Sequence, residues 1–100
     1  MGQLYTSGDW FVKEGSEDEF VAAWEDLALW TQENIEGVTW ASLLRDEGNP
    51  QLFRSLGPWE SKEAIAAWRG TDGFKERVVK IKEFLERFEA HTMEAVVEVS

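Results

Sequence analysis

Tryptophan and histidine are the side chains of this sequence with the most direct chemical uses. Its 100 residues include six tryptophans and a single histidine, His91. An indole offers an N–H donor and a flat face for stacking, and an imidazole changes its charge near neutral pH without a large shift. The residue types therefore predict a donor or stacking surface at Trp68 and, if His91 faces a cavity, a general base there.

Each candidate also has a plainer structural interpretation. Trp68 falls on the inner side of a predicted short helix, where a tryptophan can simply fill the core. His91 falls where a predicted long helix passes into the last strand, and the helix dipole favours a surface histidine at such a terminus. Trp24 lies on an apolar helical stripe, which is typical of a core residue. The sequence alone leaves both interpretations open.

The composition indicates a single folded domain spanning residues 1–100. Hydrophobic residues make up 43% of the chain and aromatic residues 13%, which suffices for a core even at a formal net charge of −10. A chain of this size buries only part of its surface on folding. The many large rings therefore indicate additional burial, in a ligand cavity or across a subunit interface.

Several classes of partner and site are disfavoured. An acidic surface repels nucleic acid and anionic membranes, and no apolar run approaches the ~20 residues that span a bilayer. The chain has no cysteine, which excludes disulfides and thiolate chemistry, and a lone histidine among scattered carboxylates gives no metal-binding pattern. The N-terminus lacks the pattern of a signal peptide, and we expect a cytoplasmic protein.

Hydrophobic periodicity predicts the elements that must position these side chains. Ser16 to Glu19 is a capping-box pattern that starts the first helix, and Gly70–Gly73 splits the second helix in two. Gly8-Asp9 predicts a bulge in the first strand, or a close approach of a ligand or another backbone. The predicted elements are strand 1 at 4–13, helix 1 at Glu17–Asn34, strand 2 at Val38–Asp46, strand 3 at Gln51–Gly57, helix 2 at Lys62–Arg69, helix 3 from Phe74 to about Phe88, and strand 4 at Thr92–Val99.

The order β-α-β-β-α-β, with a split second helix, predicts an α+β fold of the ferredoxin-like type. Such a fold has a four-stranded antiparallel sheet with its helices on one face. The acidic first helix and the basic side of the third helix would then be neighbours whose charges can pair. Strand 2 carries apolar residues on both of its faces, so the uncovered sheet face needs a partner, most simply a second copy related by two-fold symmetry.

The sequence resembles the antibiotic biosynthesis monooxygenase family, a branch of the dimeric α+β barrel superfamily. The resemblance rests on the order of elements, the segment GPWESKEAIAAWRGTDGFKE and the run FEAHTMEAVVEV. Its most specific piece is the W-E-S-x-E-A…W…F pattern from Trp59 to Phe74, and it covers nearly the whole chain. It implies a small homodimer in which two sheets join into a barrel and each protomer keeps a cavity between its sheet and its helices.

Relatives in this family include haem-degrading enzymes, whose residues can be compared one by one. Trp68 of this sequence matches the tryptophan that the haem-degrading enzymes carry on their second helix. The axial histidine of the branch falls on Val78 here, and its strand 1 asparagine falls near Gly8. Because two of the three parts are absent, the comparison disfavours haem degradation and any haem cofactor.

The family also contains cofactor-independent monooxygenases of aromatic polyketides and quinols, and this branch fits the sequence better. Its chemistry needs an electron-rich phenolic substrate whose anion passes an electron to dioxygen, inside an aromatic pocket with a few hydrogen-bond donors. For this chemistry we expect Trp68 and His91 as catalytic residues, His91 because it is the only histidine, with no cofactor and no metal. Its expected pocket-lining residues are Trp24, Trp40, Phe74 and Val78.

Two functions from different classes remain. One is a dimeric, cofactor-independent monooxygenase of a small aromatic, polyketide or quinol-type compound, which requires a closed cavity near Trp68 with at least two polar groups. The other is a non-catalytic dimer of the same fold that binds a small apolar or aromatic molecule. A purely apolar or filled cavity, with His91 outside it, would indicate the second.

Overall fold

A computed structural model describes residues 2–100 as one antiparallel sheet with three helices on one of its faces. The four strands lie in the order β2-β3-β1-β4, so the ferredoxin-like α+β prediction, with its split second helix, is confirmed. Among residues 2–100, none of the helices has the length and hydrophobicity of a membrane-spanning segment. The elements are β1 (Leu4–Val12), α1 (Glu17–Asn34), β2 (Ser42–Arg45), β3 (Leu52–Trp59), α2 (Lys62–Arg69), α3 (Asp72–Lys82) and β4 (Leu85–Glu94).

The central strand β1 is regular at Gly8, where the sequence predicted a bulge. Gly8 pairs with Ser55 on one side and Ala90 on the other. A Cβ at this position would lie 2.8 Å from Nε1 of Trp10 and 3.0 Å from Cε1 of Phe88. The bulge prediction is therefore wrong, and the close approach that the glycine permits is to two aromatic rings rather than to another backbone.

Helix α1 has the predicted bounds, Glu17–Asn34, but its predicted capping box is wrong. The Ser16 side chain makes no capping hydrogen bond, because Ser16 has ψ of 9° rather than the extended value that turns the hydroxyl over the first turn. Oε1 of Glu17 instead accepts a hydrogen bond of 2.8 Å from the amide of Gly15. This hydrogen bond ties the turn before α1 to the first residue of the helix.

Helix α3 ends at Lys82, and β4 starts at Leu85, which corrects the predicted helix to Phe88 and the predicted strand at Thr92–Val99. The error comes from Leu85 and Phe88, whose spacing of three continues the helical pattern. In a regular strand this spacing would point the two side chains to opposite faces. A register shift opposite Phe11 and Val12 leaves Glu86 as an extra residue in β4. Both Leu85 and Phe88 can therefore pack on the helix side.

Strand β2 is shorter than the predicted Val38–Asp46, and β3 runs two residues beyond the predicted Gly57. The ladder between these strands ends at the pair Ser42 and Leu56. Pro58 lies beyond that point, paired with Tyr5 of β1. Its missing N–H is tolerated because the other side of β3 has no partner strand there.

The core lies between the sheet and the helices. Phe20, Val12 and Ile81 are fully buried, and tilted ring contacts join Phe20 to Trp10 and to Phe53. The predicted pairing of acidic α1 with basic α3 is confirmed at one position, where Nε of Arg77 lies 3.1 Å from a carboxylate oxygen of Asp26.

The opposite face of the sheet is not covered by any element described for residues 2–100. Alternation along the strands places Asp9, Arg54 and His91 on this face, together with Leu44 and Met93, which are 59% and 44% exposed. This surface, formed by the outward side chains of all four strands, is called the open face below.

Candidate functional site

A cavity of about 130 Å³ lies between the helix side of the sheet and the three helices. Four parts of the fold line it: the inward residues of β1, β3 and β4, the middle of α1, the end of α2 with the start of α3, and the loop before β2. Seven aromatic residues dominate its lining, namely Trp10, Trp24, Trp40, Trp59, Trp68, Phe74 and Phe88. The cavity is therefore a largely apolar, aromatic compartment of the type that binds small organic molecules.

Five of the sequence-predicted site residues line this one cavity. They are Trp24, Trp40, Trp68, Phe74 and Val78. Trp40 lies at the rim, where its side chain is 45% exposed and its backbone oxygen approaches Gly57. The structure thus brings these residues together, while their contact with a ligand stays a prediction.

His91 is placed elsewhere, on β4 and on the open face. It is not among the residues that line the cavity, and its side chain is 44% exposed. Nε2 of His91 lies 3.5 Å from a carboxylate oxygen of Asp9. The sheet separates it from Trp68, so the condition set for a general base, that His91 face the cavity, is not met in this protomer.

Trp68 is held by capping interactions at both ends of its short helix. The hydroxyl of Ser61 accepts from the amide of Ala64 and starts α2. The Thr71 hydroxyl donates to the carbonyl oxygen of Trp68 over 2.7 Å and accepts from the amide of Phe74 over 3.2 Å. One threonine therefore joins the end of α2 to the start of α3 and sets the relative positions of two cavity walls.

The Trp68 ring packs between two other rings of the lining. Its centroid is 4.8 Å from that of Trp59 and 4.6 Å from that of Phe74, the latter in an edge-to-face arrangement. Such pairs are worth about 0.5–1.5 kcal/mol beyond burial. This trio forms a rigid aromatic wall.

Three indole N–H groups around the cavity each donate to a hydroxyl from a different element. The pairs are Trp10 with Ser55 at 3.0 Å, Trp59 with Thr6 at 3.0 Å, and Trp68 with Thr31 at 2.9 Å. All six residues line the cavity. The Trp68 N–H, predicted as a donor to substrate, is thus already used within the protein, which leaves its ring face for a ligand.

These pairs change which groups can donate to a ligand. A hydroxyl that accepts from an indole still carries its own hydrogen, and donation into it polarises its O–H bond. Ser55 and Thr6 lie on strands with their side chains on the cavity side, so each can offer that hydrogen to a bound oxygen atom. The cavity therefore contains hydrogen-bond donors supplied by hydroxyls rather than directly by tryptophans.

Sequence reasoning overlooked these hydroxyls, although signals for them were present. Thr31 falls on the apolar stripe of α1 and is 5% exposed. Ser55 alternates with Phe53, Gly57 and Trp59 on the inward side of β3. When the other residues on the same face of a helix or strand are all buried, a polar residue on that face indicates a buried hydrogen bond.

Arg69 is the one charged residue among the described residues that line the cavity. It is half-buried at the end of α2. The lining described for residues 2–100 includes no carboxylate and no imidazole. The site can therefore donate hydrogen bonds and offer a positive charge, but it presents no side chain that readily takes up a proton.

A second group of ligating side chains lies on the open face. Three atoms that could bind a metal ion, one each from Asp9, Glu89 and His91, all lie within 4.8 Å of one another. The sequence analysis, which expected no metal-binding group, overlooked this cluster. Arg54 lies 3.5 Å from Asp9, and Arg87 forms an ion pair of 2.6 Å with Glu89. The arginines already balance both carboxylates, and this cluster is separate from the cavity.

The carboxyl group of Asp46 has a lowered pKa. The hydrogen bond from Arg54, at 3.0 Å, lowers the pKa of Asp46 below 3.8, and the amide of Gly48 adds to this effect. Asp46 lies in the connection between β2 and β3, away from the cavity lining. Its charge therefore contributes to the hairpin and not to the site.

Comparison with known proteins places this geometry in a family. The sequence profile described as antibiotic biosynthesis monooxygenase matches residues 7–79, which include Trp68 and Phe74 and end before His91. No curated protein sequence matches the chain.

Solved structures share the fold at low sequence identity. SnoaB, a cofactor-independent oxygenase from Streptomyces nogalater, superposes with a TM-score of 0.89 at 15% identity, over 99% of this chain and 98% of its own. A Caulobacter crescentus protein, provisionally named an antibiotic biosynthesis monooxygenase, gives 0.86 at 22% identity, over 96% and 92%. A conserved protein from Methanosarcina mazei gives 0.83 at 20% identity, over 94% and 93%.

These identities establish the fold alone, whereas the profile covers most of the chain, from β1 to α3. On the strength of that match, the chain belongs to the antibiotic biosynthesis monooxygenase family.

Proposed function

We propose that this protein is a cofactor-independent monooxygenase of a small, single-ring phenol or quinol. The observation that carries the proposal is the aromatic cavity beside Trp68, which contains hydroxyl donors held by indole N–H groups. It has the two or more polar groups that the enzyme hypothesis required. The description of SnoaB as a cofactor-independent oxygenase supports the same class of reaction.

Cavity size favours one ring over several. A dry cavity of about 150 Å³ in another protein accommodates benzene, and the cavity here measures about 130 Å³. A single substituted ring therefore fits between Trp68 and the sheet. A three-ring polyketide would need the rim around Trp40 to move outward.

The proposed reaction attaches one atom of dioxygen to a carbon of the ring. A phenol loses its O–H proton, and the phenolate passes an electron to dioxygen. A bond then forms between one oxygen atom and a ring carbon ortho or para to the phenolic oxygen. The second oxygen atom leaves as water. One of its two hydrogens comes from the ring carbon, and the other is a proton from solvent that replaces the one lost by the phenol. The ring, oxidised by four electrons, becomes a quinone.

The residues of the cavity supply the environment for these steps. Its aromatic walls exclude water, which strengthens each polar contact inside. The hydroxyls of Ser55 and Thr6 are placed to donate to negative charge as it develops on oxygen. Because no lining residue among residues 2–100 is a ready proton acceptor, the substrate loses its proton to solvent before its ring is enclosed. The pH dependence of kcat/KM is then expected to follow the pKa of each substrate rather than that of a protein group.

The proposal can be tested by measuring oxygen uptake with substituted phenols and quinols of one ring, and with anthrones as a larger comparison. Ser55→Ala removes a donor, and we expect kcat to fall by about 10- to 100-fold, below the loss for a sole oxyanion donor because Thr6 remains. Ser42→Ala, at an exposed position of β2, is the matched control. Equal rates in both variants, or no uptake with any substrate, would contradict the proposal.

The alternative function is a non-catalytic carrier of a small aromatic molecule. The specific observation in its favour is that His91 lies outside the cavity and that the lining described for this chain contains no base. Ligand binding measured by calorimetry, without oxygen consumption in any assay, would support this alternative. A pH profile that shifts with the pKa of the substrate, and is retained in His91→Gln, would support the enzyme.

The assembly that we propose is a homodimer formed through the open face, in a cytoplasmic protein. The chain carries a net charge of −10, so most pairs of its surfaces repel each other. On the open face, Arg54 lies near both Asp9 and Asp46, and Arg87 pairs with Glu89. This face therefore carries far less unbalanced charge than the whole chain, and a two-fold axis would place it, with exposed Leu44, against its own copy.

Sedimentation tests the dimer separately from catalysis. The wild type is expected at twice the chain mass of 11.5 kDa. Leu44→Glu, which adds a charge on the open face, should give the monomer. The control Val79→Glu, at a 65% exposed position of α3, should remain dimeric. A monomeric wild type at micromolar concentration would refute the assembly.

A further inference from the structure

Arg69 is the arginine of this chain that has no charged or aromatic partner among residues 2–100. Arg54, Arg77 and Arg87 each form ion pairs with carboxylates. Arg45 lies over the ring of Phe53, 5.0 Å from its centroid. In a chain with 20 acidic and 10 basic residues, an arginine with neither an acidic nor an aromatic partner among residues 2–100 is the exception.

The positive charge of Arg69 lies at the cavity without a negative charge to balance it. Arg69 lines the cavity and is half-buried, and it directly follows Trp68, whose ring forms part of the aromatic wall. The rest of the described lining is neutral, so the charge of Arg69 is not balanced from within the site. A partly buried charge without a counter-ion costs free energy, and an anionic ligand would remove that cost.

We propose that Arg69 binds a carboxylate substituent of the substrate, so that the cavity takes a hydroxylated aromatic acid. The planar guanidinium of arginine offers two parallel N–H donors that match a carboxylate. In the proposed complex the carboxylate lies beside Arg69, on the partly exposed side of the lining, while the ring lies inside, against Trp68. This inference names the substrate class for the site described above and therefore rests on the proposed function.

A matched pair of ligands isolates the carboxylate. 4-Hydroxybenzoate and 4-hydroxybenzamide have the same ring and the same hydroxyl, and they differ in charge at one substituent. Their dissociation constants can be measured by isothermal titration calorimetry with the wild-type protein. We expect the acid to bind about 10- to 100-fold more tightly than the amide, in the range typical of hydrogen bonds to charged groups.

Variants assign that preference to one residue. Arg69→Gln should reduce the preference for the acid to within about threefold, and Arg69→Lys should restore part of it because the charge returns without the planar fork. Lys62→Gln removes a positive charge at the other end of the same helix, where the side chain is exposed. This control should keep the wild-type preference, and thermal melts of the variants check that the fold is intact.

The outcomes separate this inference from the proposed reaction. A preference for the acid that disappears in Arg69→Gln, without oxygen uptake, would support the Arg69 site and contradict the monooxygenase. Oxygen uptake with neutral quinols, and equal binding of acid and amide, would do the reverse. The Arg69 site is also overturned if neither ligand binds, or if Arg69→Gln and Lys62→Gln change the preference equally.

Discussion

The hydrogen bond between Trp68 and Thr31 offers the most direct test of how the cavity is held together. It joins α2 to α1 across 37 positions of sequence, over 2.9 Å, and Thr31 is 5% exposed. Thr31→Val keeps the volume and removes the acceptor. An indole N–H left without a partner in a buried site costs about 1–3 kcal/mol. Because Trp68 is half-buried and water can reach part of it, we expect about 1–2 kcal/mol.

Urea denaturation followed by tryptophan fluorescence measures this loss, and a thermal melt should show a Tm lower by roughly 4–16 °C for a domain of this size. Thr39→Val, at an exposed threonine, is the matched control. A double-mutant cycle with Trp68→Phe should recover about 1 kcal/mol, since the double variant leaves no unpaired N–H. Strictly additive effects, or equal losses in Thr31→Val and Thr39→Val, would refute the proposed role of this hydrogen bond.

Two further predictions concern the helix interface and the hairpin. A Cβ at Gly73 would overlap the ring of Trp30, so overpacking in Gly73→Ala should lower the free energy of unfolding by about 1–3 kcal/mol. This loss exceeds the gain of up to about 1 kcal/mol in helix propensity. The control is Gly70→Ala, whose Cβ would lie 3.5 Å from its nearest neighbours and which should change stability little in the same urea titration. The pKa of Asp46 is lowered by Arg54, so its contribution to stability is present above pH 3.8 and is lost as pH falls through the lower folded value. Asp46→Asn should therefore be less stable than the wild type at about pH 7 and equal to it at about pH 2, and a difference that persists in acid would contradict the ion pair.

Local patterns predicted the helices well where the apolar period and the end signals agree. The bounds of α1 and α2 follow from this agreement. At Leu85 and Phe88 the same spacing suits a helix and a bulged strand, and the choice is made by pairing with β1, which lies more than 70 residues earlier. A preference decided by a distant strand cannot be read from the local sequence.

The candidate site was predictable in its rings and not in its polar groups. Trp24, Trp68, Phe74 and Val78 lie on helical stripes, so their common orientation follows from periodicity. The hydroxyl partners are separated from their indoles by 37, 45 and 53 positions, and no short motif connects them. The face that His91 occupies depends on the strand boundary, which was predicted too late in the chain.

The pairing of each cavity indole with a hydroxyl from another element bears on how this site can change its specificity in evolution. Replacing Ser55 alone leaves the Trp10 N–H unpaired, and replacing Trp10 alone opens a void. Each half of a pair is therefore penalised unless the other half changes as well, which makes the two positions epistatic. Mutant libraries that vary indole and hydroxyl together should yield folded variants with new cavity chemistry more often than libraries that vary one residue at a time.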